Sequence, residues 1–320
     1  MKVPRFLAPG SHIGIDVSKH RLDIAVHPGG ESWHCGQTPA DLAALAQFLA
    51  RHQVALVLLE ATGRYGNGLC ASLHRAGVPV RVENPVRVRH FARSVGTVAK
   101  TDRIDARLLA RMAAVLKPSP NVQRTDITME MADLVARRDQ LVVMRGAEQV
   151  RLDPEPASPL IKQQLLDTIQ MLDRQIEQID RRLDELIASD RQMAATRAAF
   201  ETVRGVGGGT ARTLLAVMPE IGHLNRRQAA ALAGVAPVTN QSGQRSGTAS
   251  IGTGRKRVRR ALYMAALSAA RWNPHLKAVY QRLTQSGHRP KQALIAVARK
   301  LLIHLNSLAA NHLKAQPQHS

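Results

Sequence analysis

The sequence predicts a mixed α/β N-terminal domain, a long coiled-coil helix arm and a mostly α-helical, basic C-terminal domain. Three observations carry this. Between residues 12 and 116, short apolar runs alternate with helically periodic segments. Between Leu165 and Leu186, apolar residues recur at alternating spacings of four and three. All 24 acidic residues lie at or before Glu220, so residues 221–320 hold 16 Lys or Arg and no carboxylate side chain. The domains are expected at 1–155 and 199–320, with the arm at 156–198.

His12–Val17, Leu22–Val26 and Ser32–Gln37 read as strands, the first two joined by a tight polar turn, so an antiparallel ribbon leads the chain. Asp41–His52 is helical and opens on an acid, which suits the positive end of the helix dipole. Val54–Glu60 is a continuous apolar run, as expected of a strand buried on both faces. Gly68–Arg75 is a helix closed by Gly77, and Val78–Val82 a strand stopped by Asn84-Pro85. Helices over Pro85–Ser94 and Thr101–Leu116 complete the domain.

A helix over Ile127–Val150 then meets Pro154, Pro156 and Pro159, which break it. Beyond them Leu165, Ile169, Leu172, Ile176, Ile179, Leu183 and Leu186 form a heptad seam. A helix packed on its own domain is one reading of the seam. A dimerisation arm is favoured, because three uninterrupted heptads exceed a typical globular helix. The final third, rich in Ala, Leu, Arg and Gly, is helical and shows no solenoid repeat.

The charge split constrains function. Of a formal net charge of +21, the last hundred residues carry +16. Such a segment repels itself unless a polyanion lies against it, and nucleic acid is the obvious partner. Aromatic content of 3% poorly supplies base-stacking platforms. The run Val54–Leu59 is far too short to span a bilayer, and the N-terminus does not read as a signal peptide. Cys35 and Cys70 form no metal or disulfide pattern and suit a reducing cytoplasm; the 13 His show no zinc spacing.

Four acids stand out. Asp16 ends a strand in Gly14-Ile15-Asp16-Val17-Ser18-Lys19, and Glu60 ends the buried run. Asp102 and Asp105, in Lys100-Thr101-Asp102-Arg103-Ile104-Asp105-Ala106, share one helix face. Together they make an oxygen cage suited to two Mg²⁺ ions, which would stabilise attacking and leaving oxygens of a phosphodiester. Asp16 capping a turn and Asp102 complementing a helix N-terminus are the structural alternatives. Glu60 is harder to explain so, since an acid directly after an apolar strand is costly unless paired or metal-bound. The layout fits an RNase H-like nuclease core.

In the C-terminal third, Arg204-Gly205-Val206-Gly207-Gly208-Gly209 precedes a helix and reads either as a phosphate-binding turn or as a hinge. Ser242, in Gln241-Ser242-Gly243, is followed by Arg255, Lys256, Arg257, Arg259 and Arg260. A hydroxyl attacking a phosphodiester needs open approach and neutralised non-bridging oxygens, which Gly243 and the arginines offer. On composition alone Ser246 and Ser250 are equal candidates.

With these motifs in place, the chain resembles the DEDD transposases of the IS110 insertion-sequence family, related to the Piv DNA invertases. The resemblance rests on the Gly14–Lys19 opening, Glu60-Ala61-Thr62-Gly63, the Lys100–Ala106 motif, the arm, Ala236-Pro237 leading to Gln241-Ser242-Gly243, and Leu262-Tyr263-Met264-Ala265-Ala266. Arg204 stands where the family pattern puts a proline. The resemblance implies a RuvC-like domain whose metal-binding acids are Asp16, Glu60, Asp102 and Asp105, and a transposase domain whose nucleophile is Ser242. It further implies a noncoding guide RNA, DNA element ends and target as partners, and a homo-oligomer, dimer or tetramer, with sites shared between subunits. Arg255, Lys256, Arg257, Arg259 and Arg260 are expected to grip DNA or RNA backbone. Two other readings stay open: a structure-specific endonuclease using metal-activated water, and a non-catalytic nucleic-acid-binding protein with structural acids.

Overall fold

The structure is a computed structural model that describes residues 4–61, 63, 65–96, 102–121, 125–237, 241–242, 245–246, 251–252 and 254–314, with backbone alone at 102–104, 241–242, 245–246 and 314. It divides into two compact units, Met1–Gln123 and Arg124–Ser320.

The first unit is a five-stranded sheet with helices on both faces. Its elements are β1 (His12–Val17), β2 (Arg21–His27), β3 (Ser32–Gly36), α1 (Pro39–Arg51), β4 (Leu56–Glu60), α2 (Asn67–Arg75), β5 (Val80–Glu83), α3 (Pro85–Ser94) and α4 (Asp102–Leu116). The strand order is β3-β2-β1-β4-β5. β1, β2 and β3 pair antiparallel, while β4 lies parallel to β1 and β5 parallel to β4. This is the predicted ribbon-led α/β domain. Local signals place the helices. Thr38 and Asp41 form a reciprocal capping box at α1, and the Asn84 side chain caps α3, with Pro85 as its first residue. Ile13, Ile15, Val57 and Leu59 pack under α1 and α2, while Leu56 and Leu58 pack with α3 and α4 on the other face.

The second unit is helical: α5 (Asp126–Arg151), α6 (Pro159–Ser189), α7 (Arg191–Glu201), α8 (Gly208–Val217), α9 (Arg226–Ala233), the short strands β6 (Gln241–Ser242) and β7 (Arg245–Ser246), α10 (Lys256–Trp272), α11 (Pro274–Gln285) and α12 (Pro290–Lys314). One core joins Met131 and Val135 of α5, Leu183 and Leu186 of α6, and apolar residues of α7 to α10 and α12. Pro290–Leu313 is long and apolar enough to cross a membrane by length and composition, but half of it is buried, with Val297, Ala298, Leu301 and Leu305 in this core.

Two expectations meet a different arrangement here. Helix α5, assigned from the sequence to the first domain, packs in the second compact unit. Its partner is α6: Arg138 pairs with Asp180, Arg145 with Asp173 and Arg182 with Glu130, a register that only an antiparallel hairpin produces. The seam residues Leu172 and Ile176 close over Leu141 of α5, and Leu183 and Leu186 enter the main core. Over this stretch the heptad seam finds its partner within the chain, because the proline break at 154–159 turns α6 back along α5.

Candidate active site

Asp16 and Glu60 are placed by the parallel pairing of β1 and β4. Ile15 lies beside Leu59, so Asp16 and Glu60 are the next residues along neighbouring strands and share one edge of the sheet. Alternation sets their facing. Ile13, Ile15, Val17, Val57 and Leu59 point to the α1–α2 side, so Asp16 and Glu60 take the opposite side, where α4 lies. Both are half-buried.

The orientation of α4 brings the remaining two acids to the same edge. Lys117, just past α4, is close enough to help burial and His27 lower the pKa of His12 at the start of β1. Midway, Gly14 is pressed against the Ala106 carbonyl and the Ala110 amide. Helix α4 therefore runs against β1, with its first turn, holding Asp102 and half-buried Asp105, at the Asp16 end.

Two acids that sequence reasoning missed line this edge as well. Asp23 stands opposite Asp16 across the ribbon, and Glu83 opposite Glu60. Each is compensated. Arg21 Nη2 lies 2.5 Å from Asp23. Arg87 Nη1 is 2.9 Å from Glu83 Oε2, and the Asn84 amide donates to Oε1 at 2.9 Å. Their signal was present in the sequence, since Asp23 and Glu83 interrupt strands with an acid as Asp16 and Glu60 do.

Among the described residues, no three His, Cys, Asp or Glu side chains gather into a metal-binding group; the Asp102 side chain lies outside those residues. The donor chemistry nevertheless fits a hard divalent cation. Carboxylates at two strand ends and one helix turn are oxygen ligands of the kind Mg²⁺ selects.

In the second unit, Ser242 pairs antiparallel with Arg245 and Gln241 with Ser246, so Ser242 stands on a short strand; Gly243 lies outside the described residues. Ser246 lies on the return strand, and Ser250 is outside the described residues. The segment carrying the hairpin is anchored at both ends on the C-terminus of α9. Before it, the Val235 and Ala236 amides donate to the Ala230 carbonyl; after it, the Arg255 amide donates to the Leu232 carbonyl at 2.8 Å. Gly254, at φ +97°, lies so close to Gly234 that a Cβ would overlap its backbone.

The arginine cluster does not present itself as a uniform cationic face. Arg255 donates to both oxygens of Glu220, at 2.6 and 2.7 Å, and to the Val217 carbonyl. Arg259 donates to the Gly234 and Gly252 carbonyls. Arg257 and Arg260 both pair with Asp139 of α5. Lys256 is exposed. The glycine turn is no hinge either: Val203 and Val206 are in the core with Ala211 of α8, and a Cβ on Gly205 would come within 2.6 Å of Ala269.

Comparison with known proteins agrees with this layout. A family model for DEDD transposases of the IS110 type, described as Transposase, matches residues 13–154, and one described as Transposase IS116/IS110/IS902 family matches residues 197–281. The pilin gene-inverting protein of Moraxella lacunata is 29% identical over 303 residues, covering 91% of this chain and 93% of that protein. Its counterpart in Moraxella bovis is 28% identical with the same coverage. The family matches and the pilin gene-inverting relatives make this a DNA transposase or recombinase with an RNase H-like α/β N-terminal domain. The chain belongs to the IS110 family of transposases.

Proposed function

We propose that this transposase excises and inserts its own mobile element as an RNA-guided, metal-dependent serine recombinase. The observation that carries the metal part is the position of Asp16 and Glu60, each next after the paired Ile15 and Leu59 on adjacent parallel strands and facing the helix that bears Asp102 and Asp105. Asp16, Glu60, Asp102 and Asp105 would hold two Mg²⁺ ions, which would supply charge neutralisation at the scissile phosphate. Ser242 Oγ attacks the backbone phosphorus. One P–O bond to a deoxyribose oxygen breaks, that oxygen leaves as a hydroxyl with the serine proton, and the cut strand is held as a phosphoserine diester. Attack by a hydroxyl of the recipient strand reverses the exchange and restores the serine. The family resemblance supports Ser242 over Ser246 and Ser250.

Lys256, Arg257 and Arg260 grip nucleic-acid backbone, the last two exchanging Asp139 for phosphate, while Arg255 and Arg259 hold the serine segment in place. Functionally, residues 1–155 form the RuvC-like part, 156–198 the arm and 199–320 the transposase part. The outer portion of the α5–α6 hairpin exposes Val143, Val150, Leu160, Ile161 and Met171, an apolar surface suited to a homo-oligomer that combines acids and serine from different subunits. The reaction takes place on cytoplasmic DNA. The names of the Moraxella relatives, which invert a gene, accord with strand exchange.

The test is incubation of the protein with Mg²⁺, element-end DNA and co-purifying RNA, followed by denaturing electrophoresis. A protein–DNA adduct mapping to Ser242, absent from Ser242→Ala and Asp102→Asn, is expected. Strand exchange by Ser242→Ala would sink the serine mechanism, and cleavage without any adduct would assign the chemistry to water.

A further inference from the structure

We propose that α11, the turn 286–289 and the first turn of α12 form a docking surface for the phosphate backbone of duplex DNA. The reason begins with how the basic C-terminal third distributes its charge. At the start of α10, Arg255 is occupied by Glu220, and Arg257 and Arg260 by Asp139. Farther on the situation differs. Arg271, Lys277, Arg282, Arg289 and Lys291 are exposed, and among the described residues none of them forms an ion pair with a carboxylate side chain. No acidic residue occurs in their part of the sequence.

Their scaffold is ordered. Leu276, Val279 and Tyr280 pack α11 onto the core of the unit, while no residue of α11 is fully buried, so its outer side stays open. Asn273 caps α11 by accepting from the Leu276 amide at 3.2 Å. The four-residue turn is closed by Gly287 at φ +86° and by the His288 amide donating to the Leu283 carbonyl. The Arg289 amide donates to the Gln292 side chain, and its carbonyl accepts from the amides of Gln292 and Ala293 at the start of α12. Arg282, Arg289 and Lys291 thus flank one rigid turn between two helices, an arrangement that presents cations in fixed positions.

The chemistry favours a duplex. The 12 residues of α11 span about 18 Å at about 1.5 Å per residue, and duplex DNA carries a charge roughly every 1.7 Å, so such a face meets a dense row of phosphates. A single strand would require several stacking aromatics, whereas the one tyrosine of α11, Tyr280, is part-buried against the core and the exposed Trp272 ends α10 beside it. DNA rather than RNA is the partner because the chain is a DNA transposase. The inference is independent of which residue is the nucleophile.

The test uses the full chain, a fluorescein-labelled duplex DNA of arbitrary sequence, and a single-stranded RNA of equal length. Anisotropy is read over a series of NaCl concentrations. For Arg282→Gln/Arg289→Gln/Lys291→Gln, duplex affinity is expected to fall, and the slope of log K against log salt to become shallower by about 0.9 per lost contact, close to 3 in all. Single Arg282→Gln and Lys291→Gln variants, each expected to lose about 0.9, keep the result readable should the triple variant unfold. An unchanged duplex slope, or a loss confined to the RNA, overturns the proposal.

Discussion

Gly14 shows how much can rest on a missing side chain. It lies on β1 where α4 crosses, and a Cβ there would overlap backbone atoms of Ala106 and Ala110, not a flexible side chain that could move aside. Gly14→Ala is expected to push α4 off the sheet, costing about 1–3 kcal/mol of stability by overpacking. It should also slow strand cleavage by roughly 100-fold, because Asp102 and Asp105 ride on the displaced helix. Thermal melting and cleavage rate, read together, check this; full activity would mean that α4 does not position the site. Arg255 has the opposite character, a large side chain whose partners are fixed. Glu220 is 8% exposed, and both of its carboxylate oxygens accept from this guanidinium. Arg255→Met should destabilise the protein by on the order of 3 kcal/mol, since it removes a bidentate ion pair from a buried carboxylate. Pairing it with Glu220→Gln should recover part of that loss in a urea melt.

At the level of elements, the α5–α6 hairpin is fastened to α7 and α8 by charge as well as by apolar packing. Arg212 of α8 donates to Asp184 through Nε and Nη2, at 2.7 and 2.8 Å, and also reaches Asp180. Arg197 of α7 joins them at 2.7 Å from Asp184. The Arg212 hydrogen bond holds the Asp184 carboxyl below its ordinary value; burial opposes this, and the charges of Arg212 and Arg197 reinforce it. A depressed pKa in the folded state contributes stability that is fully present above the unfolded value, about 3.9 for Asp, and is lost as pH falls through the folded value. Acid unfolding of the wild type should therefore steepen below about pH 4, and Asp184→Asn, already lacking the charge, should show a flatter profile there. Equal slopes for the two proteins would remove the network from any account of how the hairpin is held.

Across the whole molecule, the separation of charge governs how it meets DNA. With 45 Lys and Arg against 24 acids, and no acid beyond Glu220, association is driven by counterion release. If six to ten phosphates are contacted, affinity should drop by about 10³–10⁵ between about 50 and 200 mM salt, which a binding titration at several salt concentrations measures directly. Binding that tolerates salt would indicate an apolar or base-reading interface instead.

The strands and helices of the first unit and the proline break were legible in the sequence because each is a local matter: short apolar runs bounded by turn residues, helical and heptad spacing, an acid at a helix start, a ring that cannot donate a hydrogen bond. Asp16 and Glu60 were legible for the same reason, as acids that end apolar strands. The order β3-β2-β1-β4-β5, the pressing of α4 on Gly14 and the approach of Asp23 to Asp16 were decided only by tertiary structure. So was the fate of the arginine cluster. Arg257 and Asp139 lie 118 positions apart in the chain, and no local pattern announces their meeting. The sequence by itself determined which elements form and how charge is shared between the two parts of the chain. Packing decided which of those charges are consumed in holding the fold and which remain on the surface, because an ion pair depends on distance in space, and that distance is set only once the helices have closed on one core.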